Sequence, residues 1–219
     1  MQATTPVTGC DPWQMALIHR LIRRGFEQAR RCVLASPDPS PERVAALTEY
    51  LQFHLDGLHA HHSTEDELLW PELRARARMA GSLVDRMEGQ HAAIHRAIED
   101  VSTGLDAWRT DPDGTKSTAL AQAIETLLGR LEEHLGEEER DVVPHIAEHI
   151  TEQEWDNLGK AAFAKFTPQQ RFTAMGEMLA AATPDEATQM MSGLPLPIRV
   201  VWRLVGARKY ERSMARLQA

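Results

Sequence analysis

The apolar positions of this chain recur at three- and four-residue steps over long stretches, a period that predicts helices rather than strands. The first run, opened by Asp11 as a cap and Pro12 at the first helical position, extends to about Ala35. It carries Met15, His19, Ile22, Phe26, Ala29 and Val33 on one stripe. After the loop SPDPSP, in which Ser40-Pro41 is a second start signal, the next run continues to about Arg78. Its inward face reads Leu47, Leu51, His54, Leu58, His61, Glu65 and Leu68, with a bend expected at Pro71, which has no amide to donate. Beyond Gly81 a third run places Val84, Met87, His91, His95, Ile98, Val101, Leu105 and Trp108 on one face, and the turn Asp111 to Gly114 closes it. A fourth begins near Lys116 and carries Leu120, Ile124, Leu127, Leu131, His134, Glu138 and Val142, with Pro144 as a bend or an end.

Four long amphipathic helices with short loops predict an all-α fold, an up-down-up-down four-helix bundle over residues 11 to 150. From residue 151 the pattern changes to shorter helices, each with its own start signal: capping-box spacing at Thr151 with Glu154 and at Thr183 with Glu186, and a cap at Thr167-Pro168. Residues 151 to 219 therefore read as a C-terminal helical extension packed on the bundle. Its last helix, from about Ile198, sets Arg199, Arg203, Arg208, Lys209, Arg212 and Arg216 against a single acid, Glu211, and is expected to dock on the acidic remainder. Leu194-Pro195-Leu196-Pro197 could act as a hinge ahead of it.

Composition excludes several functions. With 219 residues, 5% aromatics and an abundance of Ala, Leu, Glu and Arg, the chain suits a helical domain with an appendage. A net charge of −8 argues against nucleic-acid binding by the chain as a whole. No apolar run approaches the length of a membrane span, and residues 1 to 12 lack the basic and apolar regions of an export signal. Cys10 and Cys32 share no CxxC spacing, so neither a disulfide framework nor a thiolate zinc site is indicated. A cytoplasmic protein with no transmembrane segment is expected; no protein partner is indicated.

Ten histidines bring in the chemistry. The stretch HHSTEDELLWP from His61 to Pro71 and the stretch HLGEEERDVVP from His134 to Pro144 both read His, then Glu four residues later, then Pro six beyond that. His19 precedes His61 by 42 residues and His91 precedes His134 by 43, so the bundle reads as a duplicated helical hairpin. A histidine and a carboxylate one turn apart share a helix face. Seven residues of ligand type thus fall on inward stripes: His19, His61, Glu65, His91, His95, His134 and Glu138. Burying them bare would be unfavourable, and metal satisfies them together. Without thiolates, and with too many donors for one tetrahedral zinc, the set favours a pair of iron or similar ions. Five imidazole nitrogens, four carboxylate oxygens and a bridging oxygen shared by both ions fall one short of two octahedral shells. The open position would admit dioxygen, peroxide or nitric oxide. His54 reads as a hydrogen-bonded core residue, His59, His145 and His149 as surface residues, and Met175, Met178, Met190 and Met191 as core packing.

Through His19, the His61-x3-Glu65 turn with LLWP, the His91-x3-His95 pair and the His134-x3-Glu138 turn with VVP, the chain resembles the hemerythrin-like family, the HHE cation-binding domains, over about residues 11 to 147. The resemblance implies two iron ions with a bridging oxygen in a non-haem diiron centre. It also implies roles in oxygen binding or sensing, iron handling, or reactions with peroxide or nitric oxide. A carrier, an enzyme and a metal-responsive regulatory module all remain open. Oxygen-carrying members space the last histidine and carboxylate by five, which selects Glu139; the internal repeat selects Glu138. His62 with Asp66 is a shifted copy of His61 with Glu65, turned about 100° from the stripe, and is expected to support the centre from outside or to lie on the surface. Two of the three glutamates at Glu137 to Glu139 are expected to be solvated.

Overall fold

The computed structural model describes residues 9–35, 38–77 and 81–218, and among them every regular element is helical. Ser36, Pro37, Arg78 and most of the N-terminal stretch read for an export signal lie outside the described residues. The first helix, α1 (Trp13–Leu34), starts after Pro12 with no side-chain cap; Asp11 is not its cap but donates its backbone amide to Glu152 at 3.1 Å. The second, α2 (Pro41–Thr64), is capped by Ser40, whose side chain accepts from the Arg43 amide. A short α3 (Trp70–Arg76) continues its line, α4 spans Gly81–Thr110, and α5 (Gly114–Glu137) begins under an Asp113 cap within the turn that opens at Asp111. α6 (Val143–His149) continues the line of α5.

The bends expected at Pro71 and Pro144 take the form of π turns. Glu65–Leu69 and Glu138–Val142 each hold one extra residue per turn, and the Trp70 and Val143 amides donate to the Glu65 and Glu138 carbonyls. An α-helical ladder would need Pro71 and Pro144 to donate to the carbonyls four residues back; proline has no such hydrogen, and its ring collides with that carbonyl. The extra residue relieves both and rotates the downstream helix by roughly 100°. Leu68 is for that reason 44% exposed rather than inward, and Leu69 takes the buried position.

The four long helices close a ring: α1 packs on α2 and α5, and α4 packs on α5 and α2. Two apolar clusters fill it. One runs from Val33, Leu47 and Trp108 to Leu58, Ile94 and Leu131. The other gathers Met15, Trp70, Leu73, Met87, Val142 and Ile146. His19, His61, His91 and His134 occupy the level between these clusters on their four helices, so burial on both sides fixes their height. Each fully buried Leu or Phe there contributes about 1.5–3 kcal/mol.

After Thr151 come α7 (Glu152–Ala164), α8 (Pro168–Ala181), α9 (Pro184–Gly193), α10 (Leu196–Val201) and, past a third π turn, α11 (Ala207–Gln218). Capping boxes are present at Thr151 with Glu154, Thr167 with Gln170 and Thr183 with Glu186. α7 lies on α2, α8 on α1, and α11 on α2 and α8. The last helix is held by the buried Trp202 and Leu217 and by Tyr210, whose hydroxyl donates to Glu177 at 2.8 Å while Arg24 of α1 reaches the same carboxylate at 3.3 Å. Direct ion pairs are not what holds it: among the described residues, none of the six cations from Arg199 to Arg216 forms one, and Lys209 lies over the Phe172 ring. Met175, Met178, Met190 and Met191 are not among the fully buried core residues; all four are half-buried. Among the described residues, no helix is long and apolar enough to cross a membrane.

Candidate metal centre

Where the four long helices meet, the structure gathers His19, His61, His62, Glu65, His91, His134 and Glu138, all buried. Donor atoms of His19, His61 and Glu138 lie within 4.8 Å of one another, as do those of His62, His91 and His134, and those of His61, His62 and Glu65. Each carboxylate reaches a histidine of both of the first two groups. Glu138 stands 3.2 Å from His19 Nε2 and 3.7 Å from His134 Nε2; Glu65 stands 3.3 Å from His61 Nδ1 and 3.6 Å from His91 Nε2.

His95 is not brought to this group. Its side chain is 57% exposed, beside Glu99 and tilted towards His59, whereas Ile94 is buried in its stead. The inward stripe of α4 alternates steps of three and four through Val84, Met87, His91, Ile94, Ile98, Val101, Leu105 and Trp108, and a four-residue step from His91 leaves that seam. The fifth imidazole comes from His62, which stacks on His91 with ring centroids 4.0 Å apart. Adjacent on one helix, His61 falls with His19 and Glu138, and His62 with His91 and His134. The signal available in the sequence was the doublet itself, followed at the helical spacing by Glu65 and Asp66.

Acceptors outside the group orient the rings. His91 Nδ1 meets Asp66 at 2.7 Å, and Trp70 Nε1 donates to the same Asp66 oxygen at 2.9 Å. In the other half, His19 Nδ1 meets Glu139 at 2.8 Å, and Arg23 donates to that oxygen at 2.8 Å. His134 Nδ1 meets Gln90 Oε1 at 2.9 Å, while Gln90 Nε2 donates to Glu137, itself paired with Arg86. None of the three consecutive glutamates is simply solvated: Glu137 anchors Gln90, Glu138 faces inward and Glu139 holds His19. Because an acceptor occupies each of these Nδ1 atoms, the hydrogen sits there and the Nε2 lone pair points into the centre.

Electrostatics follow from burial. Burial pulls His61 down to about 3 and His134 down to about 4, and lowers His62 as well, so these rings are neutral and available as donors. Burial would lower His19 too, but Glu138 and Glu139 raise it above the ordinary value. Burial and the neighbouring Glu138 push Glu65 well above the carboxylate range; Glu138, against its own burial, is held below it by His19, His61 and His134. Two carboxylates this close do not both ionise without a cation.

The residues fit a metal. His19 Nε2, His61 Nε2, His62 Nε2 and both carboxylate oxygens of Glu65 and of Glu138 are buried without a hydrogen-bond partner. At about 1–3 kcal/mol for each such atom, the group would offset much of the roughly 5–15 kcal/mol by which a domain is stable. Cations accepting those lone pairs remove the penalty, and imidazoles with carboxylates suit first-row divalent ions. His54 and Tyr50 pack edge-to-face with ring centroids 4.5 Å apart, and neither makes a hydrogen bond to the group. His59 is exposed; His145 and His149 are half-buried and, with Glu148, form a further cluster nearer the surface.

Fold and centre together define a class: helical proteins that hold cations between facing helices on buried histidines and carboxylates. The family description hemerythrin HHE cation binding domain matches residues 13–146, and the chain belongs to that family. No curated protein and no solved structure matches the chain.

Proposed function

We propose that the chain holds two iron ions at this centre and uses them to bind or turn over a small oxidant: dioxygen, hydrogen peroxide or nitric oxide. The observation that carries the reading is the arrangement of donors, two three-residue groups with Glu65 and Glu138 each in reach of both. His19 and His61 would hold one ion, His62, His91 and His134 the other, and the two carboxylates would span the pair. Iron bound there would supply reversible electron transfer and an open position for a small ligand.

The chain's own residues do the rest. Asp66, Glu139 and Gln90 keep hydrogens on the outer nitrogens of His91, His19 and His134, so the inner nitrogens of these rings remain donors. The apolar clusters above and below exclude bulk water from the level of the histidines. In this reading the ring of long helices is an up-down-up-down four-helix bundle of residues 11 to 150, and residues 151 to 219 are a helical extension packed on it. Cys10 and Cys32 are buried thiols, which fits the reducing setting of the cytoplasm.

Metal analysis of protein purified after iron-replete expression is expected to give about two irons per chain, with a visible absorption band. Loss and return of that band on deoxygenation and reoxygenation would favour a carrier, and oxygen release on adding peroxide an enzyme. Iron near zero under these conditions would overturn the reading.

A further inference from the structure

Between α1 and α2 on one side and α7 and α8 on the other lies a cavity of about 440 Å³. That volume is within the range of small-molecule sites. Its wall is largely hydrocarbon, with Ile18, Phe53, Leu58, Trp155, Phe166 and Met178 among the lining residues. The charged groups beside it, Lys160 and Asp156, are mostly exposed and paired with each other at 4.0 Å, so they mark its rim. Most polar groups of the inner wall are already engaged: Gln14 accepts from Trp155 Nε1 at 2.9 Å, and the Thr64 hydroxyl donates to the Ala60 carbonyl at 2.7 Å.

Two lining residues, His61 and His54, each carry a ring nitrogen, Nε2, that is buried with no hydrogen-bond partner. His61 belongs to the metal centre. His54 does not; its ring is wedged against Gly25 and flanked by Phe26, Tyr50 and Phe53. Burial, with Arg24 adding to it, pulls His54 to about 3, so the ring is uncharged at neutral pH. A buried nitrogen that nothing in the chain satisfies, on a residue that lines an otherwise apolar chamber, is a handle for a ligand.

We propose that this cavity binds an uncharged, mainly apolar small molecule through one hydroxyl, phenol or carbonyl group that pairs with His54 Nε2. The neutral ring and hydrocarbon wall select against a charged head, because nothing inside would compensate it. The extension makes the site: α7 and α8 supply one wall, and α1 and α2, which also carry His19 and His61, supply the other. The ligand would therefore lie against the metal centre without being a ligand of it, and its binding does not require iron.

The experiment uses the full chain, metal-free and iron-loaded, with the fluorescent neutral amine 1-aminoanthracene as reporter and 1-naphthol and naphthalene as competitors. Saturable binding of one reporter per chain is expected in both forms, with 1-naphthol competing at least about tenfold better than naphthalene. His54→Phe keeps an aromatic ring in place and should bring the two competitors to within about twofold of each other. Gly57→Leu and Ala162→Phe, which add bulk to opposite walls, should each weaken the reporter at least about tenfold while iron content and helical circular dichroism stay as in the parent chain. Absence of saturable binding below about 1 mM in the folded parent chain would overturn the proposal. So would equal competition by naphthol and naphthalene there, or unchanged affinity in both filled variants.

Discussion

His91 and His134 face one another through their Nε2 atoms at 3.2 Å, while Asp66 and Gln90 occupy their Nδ1 atoms from behind. With hydrogens fixed on both outer nitrogens, the two inner lone pairs meet head-on, a repulsive arrangement unless a cation lies beside them. The contact thus points to metal through protein atoms alone.

Removing the outer acceptors should test that inference. Asp66→Ala and Glu139→Ala are each expected to lower metal affinity about 10–100-fold, read by competition with a chelator, while leaving the helical content of the metal-free chain unchanged. Loading as tight as in the parent chain would show that ring orientation is set by packing instead.

His62 and His95 separate two readings of the ligand set. His62→Ala should remove at least half of the bound metal, because one group of three donors loses a member; His95→Ala should load as the parent does. Metal content per chain decides, and the reverse pattern would return His95 to the centre.

His54 makes the metal-free protein sensitive to acid. Its folded value, about 3, lies below the ordinary histidine value, so the unfolded chain binds the proton first. The stability this neutral ring contributes is complete above about pH 6.5 and is lost as pH falls towards 3, at up to about 1.4 kcal/mol per pH unit. Thermal midpoints of the parent and of His54→Phe between about pH 7 and 4 should diverge as pH falls, the variant declining less steeply. Parallel curves would mean that the ring is hydrated.

Gly25 makes room for the same ring. A Cβ there would lie 2.0 Å from His54 Cε1. Gly25→Ala should destabilise by about 1–3 kcal/mol despite the better helix propensity of alanine. In a His54→Ala background the same change should become neutral or favourable, a coupling that a double-mutant cycle measures.

Tyr210 ties the last helix to α8, and through Glu177 to α1. Tyr210→Phe should lower stability by about 0.5–1.5 kcal/mol and increase proteolytic cutting after Gly193, with metal content unchanged. Loss of metal in this variant would mean that the extension supports the centre directly.

Much of the helical fold was legible in the order of residues alone. The stripes of α1 and α5 hold residue for residue, from Met15 to Val33 and from Leu120 to His134, because unbroken helical phase predicts facing, and Glu138 and Val142 stay buried at the two ends of the π turn that follows. His62 and His95 show where that logic ends. Phase on one helix says that neighbours face apart, but a centre wide enough for two groups of donors accepts both His61 and His62. On α4 the seam steps by three from His91 to Ile94, so His95, at a step of four, turns outward. Leu68 illustrates a different limit: the proline at position 71 signals a bend, yet whether the helix kinks or takes in an extra residue depends on packing that no local pattern contains. The cavity beneath α7 and α8 lay beyond reach, since it is made by two elements distant in the chain.

The acids of one hairpin grip the histidine of the other. Glu65 and Asp66 hold His91, while Glu138 and Glu139 hold His19. Each hairpin thus takes part of the shell around its histidines from the other. Two separately expressed pieces, one ending at Ala77 and one starting at Gly81, would be expected to find each other, and metal would be the measure of whether they had.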